Sequence, residues 1–389
     1  MKVGVIEIMP KGHYTLVESV AKIFASDPNN EVIIYTTKIG VENTLFIKEE
    51  YNNVHIIDVE KEYGLQAFIS NINQLQLDRA YLITLDHYIK EFANIQYKFP
   101  FHVFIHNIYL WFDLSFTSNL ERTWKEILDK PALTHYWIKR NFIQSATKKK
   151  LTNRVLKSGG KFVVLNGNLR TELERFTASD TIEEIPFSIY QPKLIDKSSD
   201  DIFRICVPGM LSVSRRDYFS LFKMMREYPE IFKTRVIVDL LGGVNISESG
   251  DQVLVEAKQM VVEGYKVLFY DKSLVAIDEF DEELSKSDIV LGNMHVVMNE
   301  FNIYGKSKDS GIMYTMVKTA KPGFLPAGYS ILPELKDSTL IFSTYEELGL
   351  LIKNLIDDKD KLALLKQKAK VNSGHFSPEK VYKRLINKN

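Results

Sequence analysis

Arg204-Ile-Cys-Val-Pro-Gly-Met-Leu-Ser-Val-Ser-Arg-Arg-Asp-Tyr218 is the stretch whose reading decides the fold. A short β-branched run, Arg204–Val207, ends at Pro208-Gly209 and passes through a polar loop carrying two arginines. It then enters Phe219–Tyr228, whose apolar residues recur at helical spacing. Strand, glycine-bearing loop and helix in that order open a doubly wound α/β unit. This opening falls in the second half of a 389-residue chain, so another unit of comparable size must precede it.

Working outward, the same alternation continues with strands expected at Arg235–Leu240, Val267–Tyr270, Ile289–Leu291, Gly323–Leu325 and Leu340–Phe342. It also fills the first half, at Val3–Ile8, Val32–Thr37, His55–Val59, Ala80–Leu85, His102–His106 and Phe162–Leu165, with turns at Asp27–Asn30 and Lys157–Gly160. A further strand is expected to end within Ile185–Tyr190, and the polar stretch Gln191–Asp201 reads as a linker. The expected organisation is a first Rossmann-like domain over 1–190, the linker 191–201, a second such domain over 202–372, and a terminal helix, 373–389, crossing back to the first. Thr344 before Tyr345-Glu-Glu-Leu348 and Ser377 before Pro378 are the expected N-caps of late helices. The fold class is thus α/β, two tandem Rossmann-like domains followed by C-terminal helices.

Composition narrows the function. Fifty Lys plus Arg balance fifty Asp plus Glu, which leaves no global field of the kind a dedicated nucleic-acid binder carries, and no nucleic-acid partner is expected. The single cysteine, Cys206, excludes an intrachain disulfide and reads as a buried strand residue. His102 and His106 have the spacing of a helical zinc pair, but a strand separates them by about 13 Å. No metal site is expected. The amino terminus reads as a strand with an acid inside its apolar run, and no stretch approaches the roughly 20 apolar residues of a membrane span, so a cytoplasmic protein is expected.

In open parallel sheets ligands bind at the carboxyl ends of the strands, so the loops there are the places to look. The first is Met9-Pro-Lys-Gly-His-Tyr-Thr15, where Gly12 permits close approach and His13 opens a helix; it lacks the three-glycine dinucleotide fingerprint. The second carries Gly209, Arg215 and Arg216. Cations at a helix start oppose the helix dipole, and a bound anion would relieve the conflict; the other reading is a solvated pair balanced by Asp217. The third, Tyr304–Ile312, places Ser310 and Gly311 at a helix start with Lys306 and Lys308 near, which makes a second anion cradle or a plain surface loop. His106, followed by Asn107, is placed at a strand end, where its ring nitrogens can bond hydroxyls.

Tandem Rossmann-like halves, the glycine loop after the first strand, Gly209 six places before Arg215, and Gly311 and Lys321-Pro322 flanking a late helix resemble GT-B glycosyltransferases, the second half most like the retaining family 4 branch. The resemblance spans nearly the whole chain, including Tyr345-Glu-Glu-Leu348 and Phe376-Ser-Pro378. It implies a cleft between the domains and a metal-independent transfer of sugar from a nucleotide-diphosphate-sugar. The acceptor it implies is a glycan or lipid-linked sugar, in bacterial surface polysaccharide synthesis, and no cofactor is needed beyond the donor substrate. By position it puts the diphosphate grip on Arg215, with Arg216 adjacent, the amino-terminal glycine loop on Gly12 and the sugar-contacting histidine on His106. His13 resembles the Gly-His of inverting enzymes. The family's second basic residue falls on Met210, and its Glu-x7-Glu acids fall on Ser307 and Thr315, with Asp309 nearby. A GT-B-fold sugar-nucleotide epimerase and a non-catalytic GT-B-like partner subunit are the competing readings. The segment 131–161 carries eight basic residues and no acid, with Tyr136, Trp137 and Phe142 among them. It is either a solvated helical pair or a docking patch for an anionic membrane.

Overall fold

The computed structural model describes residues 1–9, 12–85, 88–112, 144–192, 202–299 and 301–387. The chain forms two compact units, Met1–Pro186 joined by the residues from Tyr382 onward, and Phe187–Val381.

Unit 1 is a seven-stranded parallel sheet: β1 (Lys2–Glu7), β2 (Glu31–Thr36), β3 (Val54–Asp58), β4 (Arg79–Leu82), β5 (Phe101–Phe104), β6 (Phe162–Val164) and β7 (Ile182–Glu184), in the order β3-β2-β1-β4-β5-β6-β7. The winding reverses between β1 and β4, the topological switch point at which a doubly wound sheet leaves its loops splayed. β5 stops two residues before His106, which therefore belongs to the loop. β7 ends before Ile185, earlier than the expected strand, because Pro186 has no N–H to donate to a ladder. Tyr382, on the last helix, donates to Asp27 Oδ2 at 2.9 Å and accepts from Asn30 Nδ2 at 3.0 Å.

Unit 2 repeats the plan with six parallel strands: β8 (Phe203–Cys206), β9 (Val236–Leu240), β10 (Val267–Phe269), β11 (Ile289–Leu291), then, past a small antiparallel pair, β12 (Val297–Asn299) with β13 (Asn302–Ile303), and finally β14 (Gly323–Pro326) and β15 (Thr339–Phe342). The order is β10-β9-β8-β11-β14-β15, with the switch point between β8 and β11. The antiparallel pair was not anticipated by the strand periodicity; Asn299 Oδ1 accepts from the amides of Phe301 and Asn302 and closes its turn. Both faces of the sheet are covered. Ile205 and Val207 enter one apolar cluster and Cys206 the other, the period of two that a strand imposes. Cys206 is fully buried, and burial pushes its thiol well above the ordinary range, so it is packing and not a nucleophile. Thr344 caps its helix as expected, accepting from Glu347 N at 3.2 Å.

Candidate functional site

At the switch point of unit 2, the loop after β8 is sewn to the loop after β11. The Asp217 amide donates to the Asn293 carbonyl at 2.9 Å and the His295 amide to the Arg215 carbonyl at 3.0 Å, and Arg216 Nη1 reaches Asn293 Oδ1 at 3.4 Å. These bonds place both arginines beyond the strand ends. Both arginines lie in the loop that leads into the helix, immediately before its cap. The helix runs Tyr218–Glu227, and Asp217 is its N-cap, its carboxylate accepting from Ser220 N at 3.0 Å. The dipole conflict is thereby removed by an acid of the chain itself. Asp217 forms this cap bond and, among the described residues, no ion pair with either arginine. Arg215 is instead met by Glu248, Nη2 lying 2.9 Å and Nε 3.3 Å from Oε1, while Ser212 donates to Oε2.

Gly209 is what lets Arg216 fold back over the strand end. Its φ of +105° favours glycine, and a Cβ there would lie 2.4 Å from Arg216 Nη2. Met210, in place of a second cation, points outward and is 44% exposed. Lys308 comes from the third loop. It is half-buried, and its pKa is lowered first by that burial and then by the like charge of Arg215, which puts the two loops in one electrostatic neighbourhood. Its Nζ stands 4.9 Å from the centre of the Tyr304 ring. Burial raises the Tyr304 phenol, against the opposing pull of Arg215 and Arg216, so it belongs to the same neighbourhood.

Ser310 and Gly311 stand at the start of the helix Ile312–Thr319, with Gly311 as N-cap. Ser310 Oγ accepts from Ile312 N at 3.3 Å, and Asp309 accepts from the Tyr329 hydroxyl, which anchors the loop. Lys306 is exposed on the outer side of the turn. Ser307 and Thr315, where the resemblance would put acids, serve the chain: Ser307 Oγ accepts from Ile303 N at 2.9 Å and donates to Phe301 O, and Thr315 Oγ1 donates to Gly311 O.

In unit 1 the loops after β1, β4 and β5 converge. His13 and His106 face each other with ring centroids 4.4 Å apart. His106 Nε2 donates to the Ile83 carbonyl at 2.7 Å, which fixes the proton on that nitrogen. The His13 ring is pushed down to about 3, first by burial and then by His106. The residue keeps exposed surface, so water moderates the shift; its direction, a neutral ring at pH 7, is what bears on chemistry. Gly12 rests on the carboxyl group of Glu7, where an added Cβ would lie 2.6 Å from Cδ. Glu7 was not singled out as a site residue, although an acid inside an apolar strand is the signal that could have found it. Glu248, Asn293 and Tyr304 carried no comparable signal. Among the described residues no three His, Cys, Asp or Glu gather to hold a metal, and no helix is long and apolar enough to cross a membrane. Residues 131–143 of the basic segment, with Tyr136, Trp137 and Phe142, lie outside the described residues.

No protein-family model matches this chain, and no curated protein sequence matches it. Solved structures do. HepE from Anabaena in complex with UDP is 14% identical, with a TM-score of 0.63 over 100% of this chain and 99% of its own. A glycosyltransferase from Rickettsia africae is 11% identical, with a TM-score of 0.61 over 99% and 97%. Sucrose-phosphate synthase from Thermosynechococcus elongatus is 13% identical, with a TM-score of 0.60 over 100% and 98%. The fold is that of the GT-B glycosyltransferases, two Rossmann-like units in tandem.

Proposed function

We propose that this protein is a glycosyltransferase that takes a nucleoside-diphosphate-sugar as donor and holds its diphosphate in unit 2. The observation that carries the reading is the gathering of Arg215, Arg216 and Lys308 beyond the ends of β8 and β11, near the helix that opens at Gly311. Glu248 is the acid set against them. Guanidinium forks and helix-start amides are the donors that a diphosphate accepts from, and they stabilise the charge that develops as the nucleotide leaves. HepE, which was solved with UDP and with UDP-glucose, supports this class of donor.

The acceptor falls to unit 1, where the neutral His13 ring faces His106 in the loops after β1 and β5. The resemblance favours a retaining reaction of the family 4-like kind, which asks no strong base of the protein. In that reaction the bond from the anomeric carbon to the diphosphate oxygen breaks as the bond to the acceptor oxygen forms, and the acceptor proton passes to the departing phosphate. The cations already supply charge stabilisation, so no metal is required in this scheme. A glycan or lipid-linked acceptor, surface polysaccharide synthesis and peripheral contact with an anionic membrane through 131–161 complete the proposal.

The deciding experiment incubates the protein with UDP-, GDP- and dTDP-sugars and follows nucleotide release and sugar product. Nucleotide release with transfer supports the reading. Formation of an epimer would replace it with a sugar-nucleotide epimerase, and binding without turnover would replace it with a non-catalytic partner subunit.

A further inference from the structure

Glu7 is the last residue of β1 and is fully buried, between apolar neighbours, beside the switch point of unit 1. Burying a carboxylate is costly unless donors converge on it. Among the described residues three do: the amides of Met9 and His13, at 3.0 and 3.1 Å, and the hydroxyl of Thr84, at 2.6 Å. The carboxyl group also fills the space that a side chain at position 12 would need. Thr84 follows Ile83, whose carbonyl receives the His106 ring. A continuous path of bonds and backbone thus runs from the His13 amide through Glu7 and the β4 loop to the His106 imidazole.

We propose that Glu7 is the positioning residue of the sugar-facing side, holding the β1 and β4 loops so that His13 and His106 stand as one pair for the hydroxyls of a polyhydroxylated ligand. The inference rests on the glycosyltransferase reading for its ligand class, but not for its geometry. The carboxylate is needed because each of these three described partners is a donor. A glutamine would turn one accepting oxygen toward them as an N–H2, so a near-isosteric change breaks the network.

The test compares the full chain with Glu7→Gln, and with Thr84→Val as a milder variant that removes only the hydroxyl donor. Three quantities are read: the nuclear Overhauser contact between the two imidazoles in histidine-labelled protein, UDP affinity by calorimetry, and kcat for turnover of UDP-glucose. Glu7→Gln is expected to abolish the ring contact and lower kcat at least tenfold while leaving UDP affinity within twofold. Thr84→Val should weaken the contact and lower kcat about threefold. A purely structural acid would lower the melting temperature while leaving the ring contact and kcat of the folded protein unchanged. A retained ring contact with kcat within twofold, in either folded variant, overturns the proposal. If wild-type protein turns over no nucleotide-sugar, the glycosyltransferase reading fails, and the ring contact alone still decides the role of Glu7.

Discussion

The Glu248 carboxylate holds Arg215 on two nitrogens, Nη2 at 2.9 Å and Nε at 3.3 Å. Arg215 is 49% exposed, so the pair contributes at most about 1 kcal/mol to stability and its consequence is for binding. Glu248→Gln should tighten nucleoside-diphosphate affinity about threefold to tenfold by removing a competing charge. Arg215→Ala should weaken it by roughly 1.5–3 kcal/mol, the scale of a charge-assisted bond. Calorimetry with UDP checks both, and weaker binding by the glutamine variant would show Glu248 to be a support for Arg215 and not a competitor.

Gly209→Ala should damage the same grip from beneath. The new Cβ meets the Arg216 guanidinium and forces a side-chain-bearing residue to φ +105°, at a cost of about 1–3 kcal/mol. A lower melting temperature accompanied by loss of UDP affinity is expected. An unchanged affinity would remove Arg216 from the site.

His102 gives a pH signature to unit 1. It stacks on Tyr81 with centroids 4.6 Å apart, neither ring nitrogen has a hydrogen-bond partner among the described residues, and burial pushes its pKa down to about 4. The folded state keeps the ring neutral, whereas the unfolded chain takes up a proton below about pH 6.5. Stability is therefore lost as pH falls from about 6.5 toward 4, by on the order of 3 kcal/mol. His102→Phe keeps the stacking ring and removes both nitrogens, so it should stabilise the protein and flatten that slope. Denaturant melts at pH 7 and pH 4.5 measure this; a slope identical to wild type would assign the acid sensitivity elsewhere.

Membrane docking is expected to be electrostatic if the basic segment performs it. In its described part Lys149 and Lys157 are exposed, while Lys148 is diverted to the Leu110 carbonyl at 2.6 Å. Each near-surface cation contributes about 1 kcal/mol on an anionic leaflet. The protein should sediment with anionic vesicles at low salt, release at high salt, and bind more weakly after Lys149→Glu with Lys157→Glu. Binding indifferent to lipid charge would leave a soluble acceptor as the better assignment.

Several features were legible in the chain because they are local. Cys206 lies in an apolar run and is buried, Thr344 precedes two acids and caps a helix, and Gly209 lies in the loop that follows its strand. Arg215 was legible as a cation in a strand-end loop. Its partner was not, because Glu248 lies 33 residues away on the far side of another strand and resembles any surface acid in sequence. The helix boundary was misplaced by one residue at Tyr218, since the cap depends on which neighbouring side chain turns to the Ser220 amide.

The chain by itself determined the alternation of strands and helices, the tandem of two units and the three strand-end loops that carry the candidate residues, because periodicity, turn residues and burial preference act over a few residues. Tertiary structure decided which loops meet. β1 lies beside β4 and β8 beside β11 only through the order of winding, and that order brings Glu7 to Thr84 across 77 residues and Arg216 to Asn293 across another 77. A parallel sheet collects every strand's carboxyl end on one edge, and the choice of neighbours along that edge is a property of the whole packed sheet that no short window of sequence contains.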